Sequence, residues 1–347
     1  MERRDFLKTA TAASVSAAIP LNAQTSQAAT QPTKRPESPN MIYRELGTTG
    51  ERVSAIGMGG YHLGKQKDSA ESIQLIHAGV DRGITFLDNC WDYNDGISEV
   101  RMGQALRNGY RQKVFLMTKI DGRTADEYNK QLEQSLGRLQ TDMIDLVQFH
   151  EVIRMEDPDR IFAPGGAIEA AVAARNAGKI RYIGFTGHKD PAVHLRMLET
   201  AQKHSFHFDT VQMPINPFDP SFRSFERSVL PAAVQKGMAV FSIKSMSGSG
   251  ESIVRGALTP TEALSYAMSV PGVSTTVSGM NSMEVLDQNL EILRNFKPLA
   301  ENQMAALREH GRQFNDGRYE LYKTTVKYES DLGRAQHGFP SFMELPA

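Results

Sequence analysis

The stretch Phe86-Leu87-Asp88-Asn89-Cys90-Trp91-Asp92-Tyr93-Asn94-Asp95-Gly96 decides the fold. With Ile84 and Thr85 ahead of it, the apolar run reads as a buried strand that stops at Asp88. The polar segment that follows cannot continue a strand, and it carries Tyr93. An acid at the carboxyl end of a strand, with a tyrosine on the next loop, is where a barrel enzyme keeps its chemistry. Two further strand ends repeat the pattern, with Lys119 after the apolar run from Val114 and His150 after the run from Ile144 to Phe149. Asp88, Tyr93, Lys119 and His150 are therefore expected at the ends of three consecutive strands.

Outward from this stretch, short apolar strands alternate with polar loops and capped amphipathic helices. Tyr43 to Ile56 reads as a hairpin around Gly47-Thr48-Thr49-Gly50, and the first barrel strand ends in Gly57-Met58-Gly59-Gly60. Asp68 with Glu71, Thr124 with Glu127, Thr259 with Glu262, and Asn281 with Glu284 are read as caps of later helices. Pro191 suits a first helical turn, whereas Pro231 is expected to kink or divide the helix from Glu226 to Gln235. Repetition of the strand-then-helix unit eight times predicts an α/β fold, the (β/α)8 TIM barrel. A doubly wound sheet usually shows a G-x-G-x-x-G turn after its first strand, and none occurs here. Outside the eight units lie the N-terminal hairpin, a C-terminal helix around Glu301 to Phe314, and a polar tail to Ala347. The tail is expected either to fold over the barrel mouth or to pack on the surface.

Composition narrows the function classes. The 347 residues carry a net charge of −1 with no long run of one sign, so nothing predicts a nucleic-acid surface. A single cysteine, Cys90, excludes an intramolecular disulfide and argues against a thiolate metal cluster, and no metal is expected. No stretch approaches the roughly 20 apolar residues of a spanning helix, so no stable membrane anchor is expected. The N-terminus is different. Arg3-Arg4 followed by Phe6-Leu7-Lys8 and a mild Ala/Ser/Thr/Val stretch resembles a twin-arginine signal, which the export machinery reads and which is not part of the fold. Residues 1–28 are assigned to this signal, 29–40 to a Thr/Ser/Gln/Pro linker, and 41–347 to one barrel domain. The expected location is periplasmic or otherwise extracytoplasmic.

The order Asp88, Tyr93, Lys119, His150 resembles the catalytic tetrad of the aldo-keto reductase family, and the resemblance runs from about Tyr43 to Phe296. It implies an oxidoreductase that moves hydride between a nicotinamide cofactor and a small carbonyl or alcohol substrate. Side chains cannot supply hydride, so the cofactor must. Tyr93, with an ordinary pKa of roughly 10, would act as general acid or base. Lys119 is expected to lower that pKa, Asp88 to hold Lys119, and His150 to orient the carbonyl. A cofactor-binding sensor or regulatory subunit of the same fold is the alternative.

The resemblance also assigns binding residues. Gly59, Gly60 and Tyr61 match the loop over the cofactor, and Thr186, His188 and Gln212 match the residues that hold the nicotinamide carboxamide. Asn289 matches the asparagine that meets the adenine, with Gln288 beside it. Ile243 falls where many relatives place an aromatic residue, with Lys244 next. Near Gly279 and Val285 the usual lysine and arginine for a 2'-phosphate are replaced, although amides at the helix start from Asn281 can hold an anion. The choice between NADP(H) and NAD(H) stays open. Ser247-Gly248-Ser249-Gly250 is either a pyrophosphate loop or a flexible one. Tyr61, Trp91 and Phe218 are candidate substrate walls, the last two with core packing as the alternative.

Overall fold

The computed structural model describes residues 32–345. The twin-arginine segment and the first part of the linker lie outside them. An antiparallel hairpin, β1 (Tyr43–Glu45) and β2 (Arg52–Ser54), precedes eight parallel strands. These are β3 (Ile56–Gly59), β4 (Phe86–Asp88), β5 (Phe115–Ile120), β6 (Ile144–Phe149), β7 (Ile180–Thr186), β8 (Thr210–Pro214), β9 (Ala239–Ile243) and β10 (Val273–Ser278). They close into a barrel in sequence order, with β10 paired to β3. The (β/α)8 expectation is met.

Strand alternation fixes which side chains face inward. Phe86, Phe115, Met117, Leu146, Tyr182, Ala239 and Phe241 form an inner cluster, joined by Leu46 and Val53 from the hairpin. Leu87, Leu116, Val147, Phe149 and Ile183 belong to the larger core between strands and helices. The hairpin thus closes the amino-terminal end of the barrel and leaves the carboxyl end as the mouth.

Residues 33–38, read from sequence as linker, are docked beneath that closed end. Arg35 is almost fully buried, pairing with Glu51 at 2.5 Å and Asp145 at 2.8 Å and lying over the Phe115 ring. Arg181 joins the same two acids. A polar composition concealed this, because the partners lie far away in sequence.

The helix boundaries hold with local corrections. Thr124 and Thr259 make complete capping boxes with Glu127 and Glu262. Asp68 accepts the Glu71 N–H, but the Glu71 carboxylate takes the Lys67 N–H, so that box is half built. Ser282, and not Asn281, caps the helix Met283–Arg294, accepting the Val285 N–H. Pro231 sits inside an undivided helix, Phe225–Gln235. Among the described residues no helix is long and apolar enough to cross a membrane.

Candidate active site

The inward rows that build the lower barrel end in polar groups at the mouth. Two residues above Phe86 stands Asp88; two above Met117 stands Lys119; four above Leu146 stands His150. Period-two geometry therefore delivers an acid, an ammonium and an imidazole to one rim. Asp88 closes its strand, Lys119 lies within β5, and His150 follows β6 directly. Tyr93 opens a short helical turn, Tyr93–Gly96, in which Asn94 and Asp95 take left-handed backbone angles.

The four expected residues converge. The Lys119 ammonium, 2% exposed, pairs with Asp88 and donates to the Asn89 carbonyl at 2.8 Å and to the Tyr93 hydroxyl at 3.3 Å. The Tyr93 and His150 rings meet edge to face, their centroids 5.9 Å apart. The net electrostatics at Tyr93 run against the lowering expected from Lys119. Burial, and then the charges of Asp88 and the other acidic neighbours, push the Tyr93 phenol well above its ordinary pKa.

His150 is held by groups that the sequence did not single out. Its Nδ1 lies 2.9 Å from Asp121 Oδ1 and 3.7 Å from Asp92 Oδ2, both acids being buried. Burial disfavours the imidazolium, but the combined charges of Asp92, Asp121 and Glu151 outweigh it and lift His150 to about 9. Asp92 is raised to about 6 by burial and by Asp121. Arg123, with no exposure, fixes the loop beneath: it pairs with Asp157 at 3.0 Å and donates to the carbonyls of Asp121, His150 and Glu151. Two signals were available in the sequence. Asp121 lies two residues beyond Lys119, and Glu151 follows His150 directly.

Several candidate cofactor residues stand at or near the carboxyl ends of β3, β7, β8 and β9. Thr186 pairs in register with Gln212, whose Nε2 donates to Asp88 while its buried Oε1 has no partner. Asn289 is likewise buried, donating to Ser278 Oγ at 3.0 Å with its Oδ1 free. A Cβ on Gly60 would meet the Asp88 carbonyl oxygen at 2.5 Å and the Asn89 side chain at 2.9 Å, which leaves no room for a side chain, whereas at Gly59 it would meet the Ser278 carbonyl oxygen at 3.3 Å, a tight contact. His62 covers Gly279, and Tyr61 stands edge-on to Tyr93 at 5.4 Å. Ile243 ends β9 with Lys244 beyond it. Asn281 and Gln288 are exposed, and the Asn281 carbonyl accepts from Gln66.

The C-terminal tail crosses this mouth. His188 Nδ1 meets the Tyr322 carbonyl at 3.1 Å, and the Tyr322 hydroxyl bonds Asn216 at 2.8 Å. Tyr328 packs over Gly248, and Glu329 collects Lys189, Arg154 and Arg334. Phe218, expected as a possible substrate wall, is buried with Leu258, Ala263 and Tyr319 in a satellite core beneath the tail. Trp91 is half-buried at the rim, donating to Gln134 and stacked near Arg138.

A parallel eight-stranded barrel with an acid, phenol, ammonium and imidazole gathered at its carboxyl rim is the frame of a barrel oxidoreductase. The model of the aldo/keto reductase family matches residues 55–251, and the chain belongs to that family. The aldo-keto reductase YhdN of Bacillus subtilis (strain 168) is 33% identical over 208 residues, covering 56% of this chain and 58% of the relative. YqkF, an uncharacterized oxidoreductase of the same organism, is 27% identical over 314 residues, 79% of this chain and 97% of its own length. The holo form of an aldo-keto reductase from Bacillus halodurans superposes with a TM-score of 0.64. It covers 82% of this chain and 99% of that one at 24% identity, a likeness of fold.

Proposed function

We propose that the chain is a nicotinamide-dependent carbonyl reductase that works through Asp88, Tyr93, Lys119 and His150. The observation that carries the reading is the Lys119 ammonium held between Asp88 and the Tyr93 hydroxyl, with His150 across the ring. The mouth also suits a nucleotide. Buried amide oxygens of Gln212 and Asn289 lack partners where the family resemblance expects carboxamide and adenine. A bound NADH or NADPH supplies the hydride.

The protein's share is proton handling and orientation. Tyr93 rests as a neutral acid, ready to give its proton to the carbonyl oxygen as hydride reaches the carbon. Lys119 then faces the phenolate left behind, and His150, cationic at neutral pH, offers a second donor to the same oxygen. Reduction should therefore proceed from mildly acidic to neutral pH, whereas alcohol oxidation, which needs the phenolate, should rise with pH. The test is Tyr93→Phe, which deletes one hydroxyl. Turnover on a panel of aldehydes, ketones and sugars should fall by about 10²- to 10⁴-fold. Near-normal turnover in a folded variant would remove Tyr93 from the mechanism.

The location is part of the proposal. The paired arginines point to export of a folded enzyme, outside the cytosol's nucleotide pool, so the nucleotide is proposed to travel with the protein. Denaturing the mature exported protein and assaying the supernatant should release near-stoichiometric nucleotide. A nucleotide-free protein active only with added coenzyme would end the resident-cofactor idea.

A further inference from the structure

Around His150 the acids outnumber the cations. Asp92, Asp121 and Glu151 are all buried about one imidazole. Arg123 does not settle the balance, because it pairs with Asp157 and spends its other N–H groups on the carbonyls of Asp121, His150 and Glu151. Among the described residues Asp92 Oδ1, Asp121 Oδ2 and Glu151 Oε2 have no hydrogen-bond partner. A buried carboxylate oxygen left in this way is costly, and a cation is what it accepts.

The donors beside these oxygens are of the kinds that hold a borderline metal ion. Ligand atoms of Cys90, Asp92 and His150 all lie within 4.8 Å of one another. His150 Nδ1 stands 3.7 Å from Asp92 Oδ2, and Asp121 Oδ1, 2.9 Å from the same nitrogen, is placed to close a fourth position. The Cys90 thiol is fully buried and donates weakly to the Lys119 carbonyl at 3.7 Å. Thiolate, imidazole and carboxylate together suit zinc, which takes four ligands of these types at about 2.0–2.3 Å. Small side-chain rotations would close the atoms onto such an ion. Magnesium and calcium prefer oxygen alone. The composition argues against a cluster of thiolates, and this set needs one. On one side the acids face Gly333 of the tail, where a Cβ would lie 3.4 Å from Glu151 Oε2 and 3.6 Å from Asp121 Oδ1. The His150 side chain keeps 10% of its surface exposed, which gives an ion a way in.

We propose that Cys90, Asp92 and His150, with Asp121 beside them, form a site for one zinc-class divalent cation, and that its occupation switches the reductase off. The site stands on its own donors, whereas the switch rests on the reductase reading. Coordination releases the thiol proton of Cys90 and the proton on the coordinated nitrogen of His150 to solvent. The ion then draws His150 and the Cys90–Asp92 stretch together, and Tyr93 follows that stretch directly. The Tyr93 and His150 rings meet edge to face at 5.9 Å, so the pull shifts phenol and imidazole against each other. A misplacement of about 1 Å costs about 10²-fold in rate.

The experiment is titration of the untagged full chain, stripped of metal with a chelator, using wild type, Cys90→Ala, Cys90→Ser and Asp92→Asn. Zinc chloride is followed by calorimetry, cobalt chloride by absorption spectroscopy, and magnesium chloride is the hard-cation control. Circular dichroism and thermal melting check folding. Zinc binding weakened at least about tenfold in Cys90→Ala and Asp92→Asn supports the site. So does a thiolate-to-cobalt charge-transfer band that only proteins with Cys90 show, and in wild type this band decides the matter even if every variant misfolds. Equal zinc binding by folded wild type and Cys90→Ala, no zinc binding by wild type, or a cobalt complex without the thiolate band overturns it. Magnesium binding that ignores Cys90, with zinc no tighter, overturns it as well. Wild-type turnover should fall about 10²-fold at saturating zinc and return with chelator, while Cys90→Ala keeps its turnover in the same zinc. Bound zinc with unchanged turnover overturns the switch. A wild type with no carbonyl turnover at all overturns the reductase reading, and the metal titrations then decide the site by themselves.

Discussion

The two halves of the barrel mouth differ in what holds their charges. On the side of β4, β5 and β6, the cations each face an acid, Lys119 with Asp88, His150 with Asp121, Arg123 with Asp157. The surplus there is of carboxylate oxygens, on Asp92, Asp121 and Glu151, without hydrogen-bond partners among the described residues. On the side of β8, β9 and β10, the amide oxygens of Gln212 and Asn289, the Ser247 hydroxyl and the Lys244 ammonium wait for partners. A buried polar group without a partner costs about 1–3 kcal/mol, so several in one region are costly unless something completes them. On the proposed reading, a bound nucleotide would complete the groups of the second half.

Mutations on the two sides should consequently read out in different measurements. The largest effect is expected from Lys119→Met, which leaves Asp88 buried and unpaired. Urea denaturation should show a loss of about 3–5 kcal/mol, along with a collapse in turnover. Adding Asp88→Asn should recover part of the stability and none of the activity. If the single variant were as stable as wild type, the first half would not be the paired network described here.

Asp121→Asn probes the same half more gently. His150 is raised in the folded state, so its contribution to stability is full below its unfolded pKa of roughly 6.5. That contribution is lost as pH rises through about 9. Removing the Asp121 charge should move the alkaline limb of the reductive pH–rate profile downward and shrink the loss of stability on raising pH. An unmoved limb would mean that His150 does not take its charge from Asp121.

Asn289→Leu addresses the second half. Its side-chain bond to Ser278 is lost at a cost of about 1 kcal/mol, while nucleotide affinity should fall about tenfold, turnover at saturating nucleotide being nearly kept. Equal affinity would take Asn289 out of nucleotide binding. The smallest effect on function should come from Phe218→Leu, which changes a packed side chain beneath the tail. A loss of about 1–2 kcal/mol with unchanged KM would confirm it as core, whereas an altered KM would return it to the substrate wall.

What could be read from the sequence follows from how local each signal is. Strand alternation is a short-range rule, so Asp88, Lys119 and His150 could be placed on one rim from spacing alone. Helix caps are equally local, and the miss at Asn281 is a shift of one residue to Ser282, a neighbour able to do the same job. The Asp121–His150 contact spans 29 positions, and Asp121 sits in a polar Asp-Gly-Arg-Thr run that looks like any loop. The tail's bonds to His188 and Asn216 span more than a hundred positions and leave no periodic trace. The rise of the Tyr93 phenol comes first from burial and then from the Asp88 charge, and burial is not legible in a polar loop sequence.

The docked segment at Arg35 also bears on the order in which the chain assembles. Its partners are Glu51 in the hairpin and Asp145 in β6, and the same acids are shared by Arg181 of β7. The Glu51 contacts of Thr33 and Arg35 span 18 and 16 positions, but the Arg35–Asp145 pair spans 110. Contacts of such long sequence separation form late, after the loops between them have been drawn in. Arg35 therefore cannot hold its full set of partners on a half-made barrel. If the segment seats as one unit, protection of the Thr33 N–H, bonded to Glu51 at 3.0 Å, should come in pulsed hydrogen exchange no earlier than that of β6; earlier protection would mean that it docks first on the hairpin alone.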